Sequence, residues 1–162
     1  MQLRDATQDD AASIAAIYNH FIVRTTISFE ELPVADAEMA ARIDGVRHAG
    51  LPWLVAIVDG HVAGYAYATP WRVRDAYRFS VETSVYVAPD KPRCGLGRAL
   101  YVALLERLRA SEKHLIIAGI ALPNEASIGL HESLGYKKVA HFSEVGYKFD
   151  HWLDVGYWQL AL

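Results

Sequence analysis

The sequence predicts a mixed α/β (α+β) fold, with one mostly antiparallel sheet of about seven strands and helices on both of its faces. Asp59-Gly60 separates two apolar runs, and Asp-Gly accepts the positive φ values of a type I′ hairpin turn, which favours an antiparallel pair. Farther on, a helical pattern over Leu96–Arg109 lies between two strand patterns, which favours a parallel crossover. The predicted order is strand, two helices, three strands, helix, strand, helix and two strands.

The first two elements are a short strand and a helix. Leu3–Ala6 is the expected strand, and Thr7 follows as a helix N-cap. Asp10 comes three residues later, where a capping box usually has Glu or Gln. The helix is predicted from an apolar stripe at helical spacing, which ends at about Val23 and consists of Ile14, Ile17, Tyr18, Phe21 and Ile22.

A second helix and a hairpin follow. Asp36 is the expected N-cap of this helix, which should end between Gly45 and Gly50. Trp53–Val58 is an apolar run of strand length. Its partner is Val62–Thr69, and Pro70 should stop this strand because proline has no N–H to donate.

The centre of the chain predicts a strand, a glycine-bearing turn and a helix. Tyr77–Val87 alternates, with Glu82 on the more polar face. Gly95 and Gly97 precede an amphipathic helix, where free N–H groups at a helix N-terminus bind anions and most often phosphate. An ordinary strand-to-helix turn would explain the two glycines equally well.

The C-terminal third predicts a strand, a short helix and two aromatic strands. The strand is Leu115–Ile120, and the helix is Asn124–Leu134, stopped by Gly135. Strands are expected at residues 136–147 and 152–160. Three aromatic residues of this region are expected in the core or in a subunit interface, namely Trp152, Tyr157 and Trp158.

Composition limits the possible functions. The length of 162 residues predicts one domain over 1–162, and 52% apolar residues exclude a disordered chain. A net charge of −3 gives no electrostatic case for nucleic acid, and the sequence has no apolar run long enough to span a membrane. The single cysteine, Cys94, excludes an internal disulfide, so we expect a cytoplasmic protein. The histidines show no metal-ligand spacing, and no metal is expected.

Three stretches together resemble the GNAT superfamily of N-acetyltransferases, and more narrowly the bacterial phosphinothricin and methionine sulfoximine N-acetyltransferases. The first is Pro70–Arg78, which leads into Val81–Val87. The second is Gly95-Leu-Gly97 with Leu100-Tyr101 after it. The third is Leu122–Tyr136, followed by Gly146–Phe149 and Trp152–Gln159. The resemblance covers most of the chain in the right order and implies the GNAT fold.

The resemblance implies an acetyl-coenzyme A site. The family's phosphate loop commonly begins with Gln or Arg, and that position is Pro92 here, which is a departure. The Val85-Tyr86-Val87 backbone is expected to pair with the pantetheine arm, and Asn124 is expected to hydrogen-bond the same arm. The family binds pyrophosphate mainly through backbone amides, which here would come from Arg93, Cys94, Gly95, Leu96, Gly97 and Arg98.

The resemblance also implies two catalytic residues. Glu82 lies where the family keeps its proposed base, acting directly or through water. His131 lies where many superfamily members have a tyrosine acid, and it could protonate the departing thiolate or work with Glu82. Both have structural alternatives: Glu82 as a solvated charge on a strand, and His131 as a packed helical histidine held by a backbone carbonyl.

Six residues are the predicted contacts of an amino-acid substrate. Arg72 and Arg74 precede the central strand, and a guanidinium binds a carboxylate through two hydrogen bonds. The other four are Val73, Thr83 and Ser84 beside them and Phe29 in the irregular segment after the first helix. The structural alternatives are ordinary surface arginines and a core phenylalanine.

The resemblance therefore implies an acetyl-CoA-dependent N-acetyltransferase of a small amino acid such as methionine sulfoximine, methionine sulfone or phosphinothricin. Direct acetyl transfer and a homodimer are also implied, and resistance to a herbicide-like amino acid could be incidental. One alternative is acetylation of a protein N-terminus or lysine, which needs an open groove. A second is a non-catalytic acetyl-CoA-binding module, supported by Pro92 and opposed by Glu82 and His131.

Overall fold

A computed structural model gives the fold of residues 1–91 and 95–162. Seven strands and four α-helices follow one another in the predicted order. The strands are β1 Gln2–Asp5, β2 Trp53–Val58, β3 His61–Pro70, β4 Ser80–Val87, β5 Leu115–Ala121, β6 Lys137–Lys148 and β7 His151–Ala161. The helices are α1 Ala11–Arg24, α2 Asp36–His48, α3 Leu96–Arg109 and α4 Glu125–Ser133, with short 3₁₀ turns at Gln8–Asp10 and Asp75–Tyr77.

All seven strands belong to one sheet in the order β1-β2-β3-β4-β5-β7-β6. The β4–β5 pair is parallel, and the other neighbouring pairs are antiparallel. The hairpin at Asp59-Gly60 joins β2 to β3, and both turn residues have positive φ (51° and 81°). The predicted sheet is confirmed, including its mixed pairing.

The helices cover both faces of the sheet. On β4, Tyr86 packs against Tyr18 of α1, with ring centroids 5.1 Å apart. Thr83 points to the other face, where its hydroxyl lies 3.2 Å from the Tyr101 hydroxyl of α3. Successive side chains of a strand alternate between faces. The α1/α2 side and the α3/α4 side of the sheet are therefore distinct, and each half of the site belongs to one of them.

The predicted capping box of Thr7 and Asp10 is present, but it caps the 3₁₀ turn Gln8–Asp10 that leads into α1. The Thr7 backbone N–H donates to Asp10 Oδ2 at 2.9 Å, so the acid three residues on satisfies one of the free N–H groups. Asp10 is buried and accepts two hydrogen bonds of 2.7 Å from the Arg4 guanidinium. This pair ties the opening strand to the first helix.

Two predicted boundaries were wrong. Residues 77–79 do not extend the central strand, which begins at Ser80, because Asp75–Tyr77 forms a 3₁₀ turn just before it. Asp36 is the first residue of α2, while Ala35 has the extended backbone of the N-cap. In that position the positive end of the helix dipole stabilises the negatively charged Asp36 carboxylate, although no side chain makes a capping hydrogen bond there.

Among the described residues, no helix is long and apolar enough to cross a membrane.

Candidate active site

A wedge opens in the sheet where β4 and β5 part. The two strands pair at three positions, Ser80 with Leu115, Val81 with Ile116 and Glu82 with Ile117. Both strands continue beyond Glu82 and Ile117, and the cleft between them is lined from Thr83 to Tyr86 on one side and from Gly119 to Ala121 on the other. The opposite edge of β4 stays paired with β3 as far as Val87. The β5-side edge of Val85–Val87 can therefore accept an extended ligand.

The N-terminus of α3 lies beyond the carboxyl end of β4. Gly95 is the N-cap, with a φ of 76° that favours glycine. Ala99 N–H donates to the Gly95 carbonyl, so the amides of Leu96, Gly97 and Arg98 are the first-turn donors without an intrahelical acceptor. The Leu96 side chain is buried, and the Arg98 guanidinium donates to Ser133 Oγ at 3.0 Å. Pro92, Arg93 and Cys94 lie outside the described residues.

Asn124 caps α4 at the far side of the wedge. Its Oδ1 accepts the Ser127 backbone N–H at 3.1 Å. The side chain thus has a structural role that needs no ligand. A contact between Asn124 and a pantetheine arm could use the Nδ2 donor or the second lone pair of Oδ1.

A buried chain of polar side chains forms the α3/α4 wall of the wedge. His131 is 3% exposed, and its Nε2 lies 2.7 Å from the Tyr101 hydroxyl. The same hydroxyl lies 3.2 Å from Thr83 Oγ1, which is 3.3 Å from the Tyr136 hydroxyl. Burial raises the pKa of Tyr101 well above its usual range. The chain therefore carries hydroxyl protons and no phenolate at neutral pH.

Hydrogen bonding fixes the tautomer of His131. Its Nδ1 lies 2.7 Å from the Ser127 carbonyl oxygen, which only accepts, so the proton is on Nδ1. Burial lowers the pKa of His131, although the bond to Ser127 opposes this shift. The neutral ring then accepts the Tyr101 O–H at Nε2. The backbone carbonyl expected for a packed histidine is thus present, together with a buried hydroxyl partner.

Glu82 lies on the other side of the sheet, in a cavity of about 260 Å³. Its carboxylate covers Gly119 of β5, because Glu82 Oε1 would be 3.2 Å from a Cβ atom placed on that glycine. Burial raises the pKa of Glu82 above that of an ordinary glutamate, and the positive charge of Arg72 partly opposes this shift. The cavity is also lined by Ile27, Phe29, Ala121, Val145, Val155 and Tyr157.

Glu82 and His131 are not partners. Glu82 and Thr83 alternate on β4, and His131 belongs to the hydroxyl chain on the Thr83 side. No hydrogen bond joins Glu82 to His131 within the described residues. The two residues approach the opening between β4 and β5 from opposite faces, so a pairwise proton exchange between them is not supported by the geometry.

The structure separates the two predicted arginines. The Arg72 guanidinium lies 4.8 Å from the centroid of the Trp71 ring, and Trp71 in turn packs edge-on against Tyr157 at 5.6 Å. Arg72 therefore belongs to the Glu82 side of the sheet. Arg74 is exposed and is the N-cap of the 3₁₀ turn at Asp75–Tyr77. Val73 is 99% exposed, and the turn presents it to solvent.

The remaining predicted substrate residues divide between the two faces. Phe29 lines the Glu82 cavity and is 42% exposed. Ser84 lines the wedge with Thr83. Thr83 is 3% exposed and belongs to the hydroxyl chain, so its side chain faces away from the Glu82 cavity.

Three residues of this site were not predicted as functional residues: Tyr101, Gly119 and Tyr157. Tyr101 appeared only as part of a motif. Gly119 is an isolated glycine in a strand, which indicates close approach of another group. Tyr157 was expected in the core or in an interface, but it is half-buried and lines the Glu82 cavity. Over residues 1–91 and 95–162, no group of three His, Cys, Asp or Glu side chains could hold a metal ion.

A family model, the acetyltransferase (GNAT) domain, matches residues 3–156. The chain belongs to the GNAT acetyltransferase family. Like its relatives, this GNAT protein is an enzyme that transfers an acetyl group, and the predicted fold and family are confirmed.

Two curated relatives match the GNAT protein over nearly its full length. It is 42% identical over 98% of its length to the phosphinothricin N-acetyltransferase of Streptomyces viridochromogenes, covering 86% of that protein. It is 40% identical over 100% of its length to the L-methionine sulfoximine/L-methionine sulfone acetyltransferase of Salmonella typhimurium, covering 95% of it.

Three solved structures share the fold. A Salmonella typhimurium protein solved with its cofactor acetyl-CoA has a TM-score of 0.98 and 40% identity, covering 100% of this chain and 94% of that one. A phosphinothricin acetyltransferase from Sinorhizobium meliloti, in complex with acetyl-CoA, has a TM-score of 0.96, 38% identity and coverage of 99% and 88%. A ribosomal-protein-alanine N-acetyltransferase from Brucella melitensis has a TM-score of 0.98, 37% identity and coverage of 100% of each chain.

Proposed function

We propose that this protein transfers the acetyl group of acetyl-CoA to the α-amine of a small free amino acid, directly and within a ternary complex. Methionine sulfoximine, methionine sulfone and phosphinothricin are the proposed substrate class. The observation that carries the proposal is the half-buried Glu82 carboxylate, which lies beside the opening of β4 and β5 with the Arg72 charge near it.

The wedge suits the elongated shape of acetyl-CoA. The free edge of Val85–Val87 would pair with amide groups of the pantetheine arm, as an added strand does. The first-turn amides of α3, from Leu96 to Arg98, would hold the pyrophosphate. When bound, the thioester supplies an activated acetyl carbonyl and a thiolate leaving group.

Glu82 is the proposed general base. A protonated amine cannot attack a thioester, so one proton must leave the nitrogen first. A carboxylate with a raised pKa accepts that proton more readily at neutral pH than an ordinary glutamate does. Its partly buried position also keeps the carboxylate from full hydration.

The leaving thiolate would meet the hydroxyl side of the wedge. The Nδ1 proton of His131 is already donated to Ser127, and its Nε2 accepts, so the neutral ring has no free N–H for the thiolate. We therefore propose that Tyr101 is the proton donor and that His131 positions its hydroxyl. The Tyr101 proton, held by His131 Nε2 before the reaction, would turn to the sulfur and pass to the thiolate, and Tyr101 would regain a proton from water after coenzyme A has left. Both residues line the wedge.

The Glu82 cavity is the proposed acceptor pocket. Its volume of about 260 Å³ is slightly below the usual range for drug-sized ligands, which suits a small amino acid. Apolar side chains from Ile27, Phe29 and Val145 would contact the substrate side chain. Arg72 would bind the α-carboxylate through two charge-assisted hydrogen bonds. Arg74 is the weaker candidate because it caps an exposed turn.

The test is mass-spectrometric detection of acetylated product from purified protein, acetyl-CoA and a panel of amines. The panel contains methionine sulfoximine, methionine sulfone, phosphinothricin, ordinary amino acids and short peptides. Turnover of the free amino acids without turnover of the peptides supports the proposal. Turnover of the peptides alone rejects it.

The second candidate function is acetylation of a protein N-terminus. It is favoured by the likeness to the Brucella melitensis ribosomal-protein-alanine N-acetyltransferase. A peptide substrate has no free carboxylate near the reacting amine, so this function leaves Arg72 without its proposed partner. A non-catalytic module would bind coenzyme A in calorimetry and acetylate no member of the panel.

We also propose that the protein is a cytoplasmic, single-domain homodimer. The β6–β7 hairpin forms one edge of the sheet and exposes an apolar surface that a second copy would cover. Its most exposed members are Trp152 (63%), Val145 (56%) and Tyr147 (53%). Light scattering on the purified protein tests the homodimer. A monomer at the concentration used in the activity assays would reject it.

A further inference from the structure

A segment between α1 and α2, residues 25–35, forms one wall of the Glu82 cavity. We call it the acceptor loop. Ile27 and Phe29 are the loop residues that line the cavity. Both are also partly exposed, at 41% and 42%. The position of this wall therefore depends on what holds the loop.

The two ends of the acceptor loop are held by α1. Thr25 Oγ1 donates to the Phe21 carbonyl at 2.7 Å. At the other end, the Asn19 side chain makes two hydrogen bonds with the Val34 backbone, of 2.7 and 2.9 Å. These bonds attach the loop to the helix before it. They do not determine its distance from the sheet.

The middle of the acceptor loop contacts both helices and β6. Ser28 Oγ donates to the Tyr18 hydroxyl of α1 at 2.9 Å, and Glu30 pairs with Arg42 of α2 at 2.8 Å.

The contact with β6 is made by Lys148. Lys148 is 2% exposed, and its Nζ donates to the Ser28 carbonyl at 2.5 Å. The ammonium also lies 5.0 Å from the Phe149 ring centroid. A buried ammonium is costly unless it is hydrogen-bonded, and here its bond is made to the residue just before Phe29.

Gly146 supports the next residue of the loop. The Phe29 ring packs directly over Gly146, since a Cβ atom there would lie 2.6 Å from Phe29 Cζ and would overlap Cε2. No side chain fits at position 146 while the ring stays in place. Gly146 pairs with Leu153 of β7 just after an irregular stretch of β6, so its backbone is held by the sheet.

We infer that Lys148 and Gly146 are positioning residues that set the acceptor pocket by fixing the acceptor loop against β6. The inference rests on the proposed function, since it assigns the Glu82 cavity to the amino acid. Phe29 lines the Glu82 cavity, whereas Ile27 of the same loop lines both that cavity and the wedge that would take acetyl-CoA. Lys148 and Gly146 hold Ser28 and Phe29, so changes at these two positions should alter recognition of the amino acid more than recognition of acetyl-CoA.

The first test is a double-mutant cycle between Gly146→Ala and Phe29→Ala. The methyl group of G146A displaces the ring, and we expect the KM for the amino acid to rise about tenfold, as misplaced contacts commonly cause. The KM for acetyl-CoA should change by less than about twofold. In the F29A background, G146A should have no further effect, because the clashing ring is gone. Gly45→Ala is the matched control, since a Cβ there meets nothing within 4 Å.

The second test is amide hydrogen exchange over residues 25–33 in Lys148→Met, with Lys148→Arg as the conservative variant. Exchange should be faster in K148M and return toward the wild-type rate in K148R. Lys137→Met, an exposed position on the same strand, should leave exchange unchanged. This measurement needs no substrate. If the wild type acetylates no amino acid, the proposed function fails. The exchange data would still show whether Lys148 holds the acceptor loop in place.

Three results would overturn the inference. The first is a G146A effect that multiplies with that of F29A. The second is an equal rise in both KM values, which indicates general damage to the fold. The third is unchanged exchange in K148M.

Discussion

Glu82 Oε1 lies over the backbone of Gly119, only 3.2 Å from the point where a β-carbon would be. Tyr157 flanks the same point from β7 at 3.1 Å. The missing side chain at position 119 therefore provides the space in which the carboxylate rests. This space also lets Glu82 lie beside the sheet opening while it remains half-buried. The partial burial of the carboxylate is what raises its pKa.

Glu82→Gln tests the base. The amide keeps the shape of the side chain but cannot accept the amine proton, so kcat should fall by about 10² to 10⁴. The KM for acetyl-CoA should change little, because Glu82 faces away from the α3 N-terminus. Steady-state kinetics with both substrates varied would measure this, and turnover at the wild-type rate would exclude Glu82 as the base.

The pH profile gives a second measure of Glu82. The base works when ionised, so activity falls as pH falls through its pKa. Because burial raises that pKa, the acidic limb of kcat/KM should lie above the range of an ordinary carboxyl group. The limb should be absent from the residual activity of E82Q. A limb that persists in E82Q belongs to another group.

His131→Ala and Tyr101→Phe test whether the two residues act as a unit. If His131 works through the Tyr101 hydroxyl, each variant should lower kcat by about 10², and the double variant should lose no more than either single variant. Thermal unfolding of all three variants controls for damage to this buried chain. A large loss in H131A with wild-type turnover in Y101F would instead make His131 the direct proton donor.

Arg72→Met tests carboxylate recognition. Loss of a charge-assisted pair should raise the KM for the amino acid about tenfold or more. The positive charge of Arg72 lowers the pKa of Glu82, so its removal should also move the acidic limb to higher pH. Arg74→Met, in the exposed turn, is the control and should affect both quantities less. Equal effects of R72M and R74M would contradict the proposal that Arg72, and not Arg74, binds the α-carboxylate.

Gly64→Ala tests the strand edge proposed for acetyl-CoA. A Cβ at Gly64 would lie 2.9 Å from the Tyr86 carbonyl and 3.3 Å from the Leu100 side chain, so β4 must shift. We expect a loss of about 1–3 kcal/mol in the free energy of unfolding. We also expect a KM for acetyl-CoA that rises about fivefold.

Gly45→Ala in α2 is the matched control for Gly64→Ala. A Cβ there is free of contacts, and alanine should raise the free energy of unfolding by about 0.5–1 kcal/mol, as it does in helix interiors. Chemical denaturation compares the two variants. A fully stable G64A with an unchanged KM would reject the role of this edge.

Sequence patterns predicted the sheet because its signals are local. The Asp59-Gly60 turn and the alternation along β4 depend only on neighbouring residues, and both were confirmed. The i−4 carbonyl that holds His131 follows from helix geometry alone. The extra strand residues expected before Ser80 were wrong because turn packing at Asp75–Tyr77 overrides the alternation.

The partners within the site could not be predicted, because they come from elements distant in sequence. Glu82 looks solvated on its strand, and its burial arises from Tyr157 of β7 and from the acceptor loop. The Tyr101 partner of His131 arises only when α3 and α4 pack on the same face of the sheet. The spacing of residues along the sequence does not indicate which distant elements will contact each other.

The most direct test of the central claim compares kcat/KM for L-methionine sulfone with that for its α-carboxamide. The amide keeps the amine and the side chain but removes the negative charge that Arg72 is proposed to bind. The account predicts a preference of about tenfold or more for the free acid, and a preference that disappears in R72M. Equal rates for acid and amide in the wild type would contradict recognition of a free amino acid and favour an N-terminal peptide substrate.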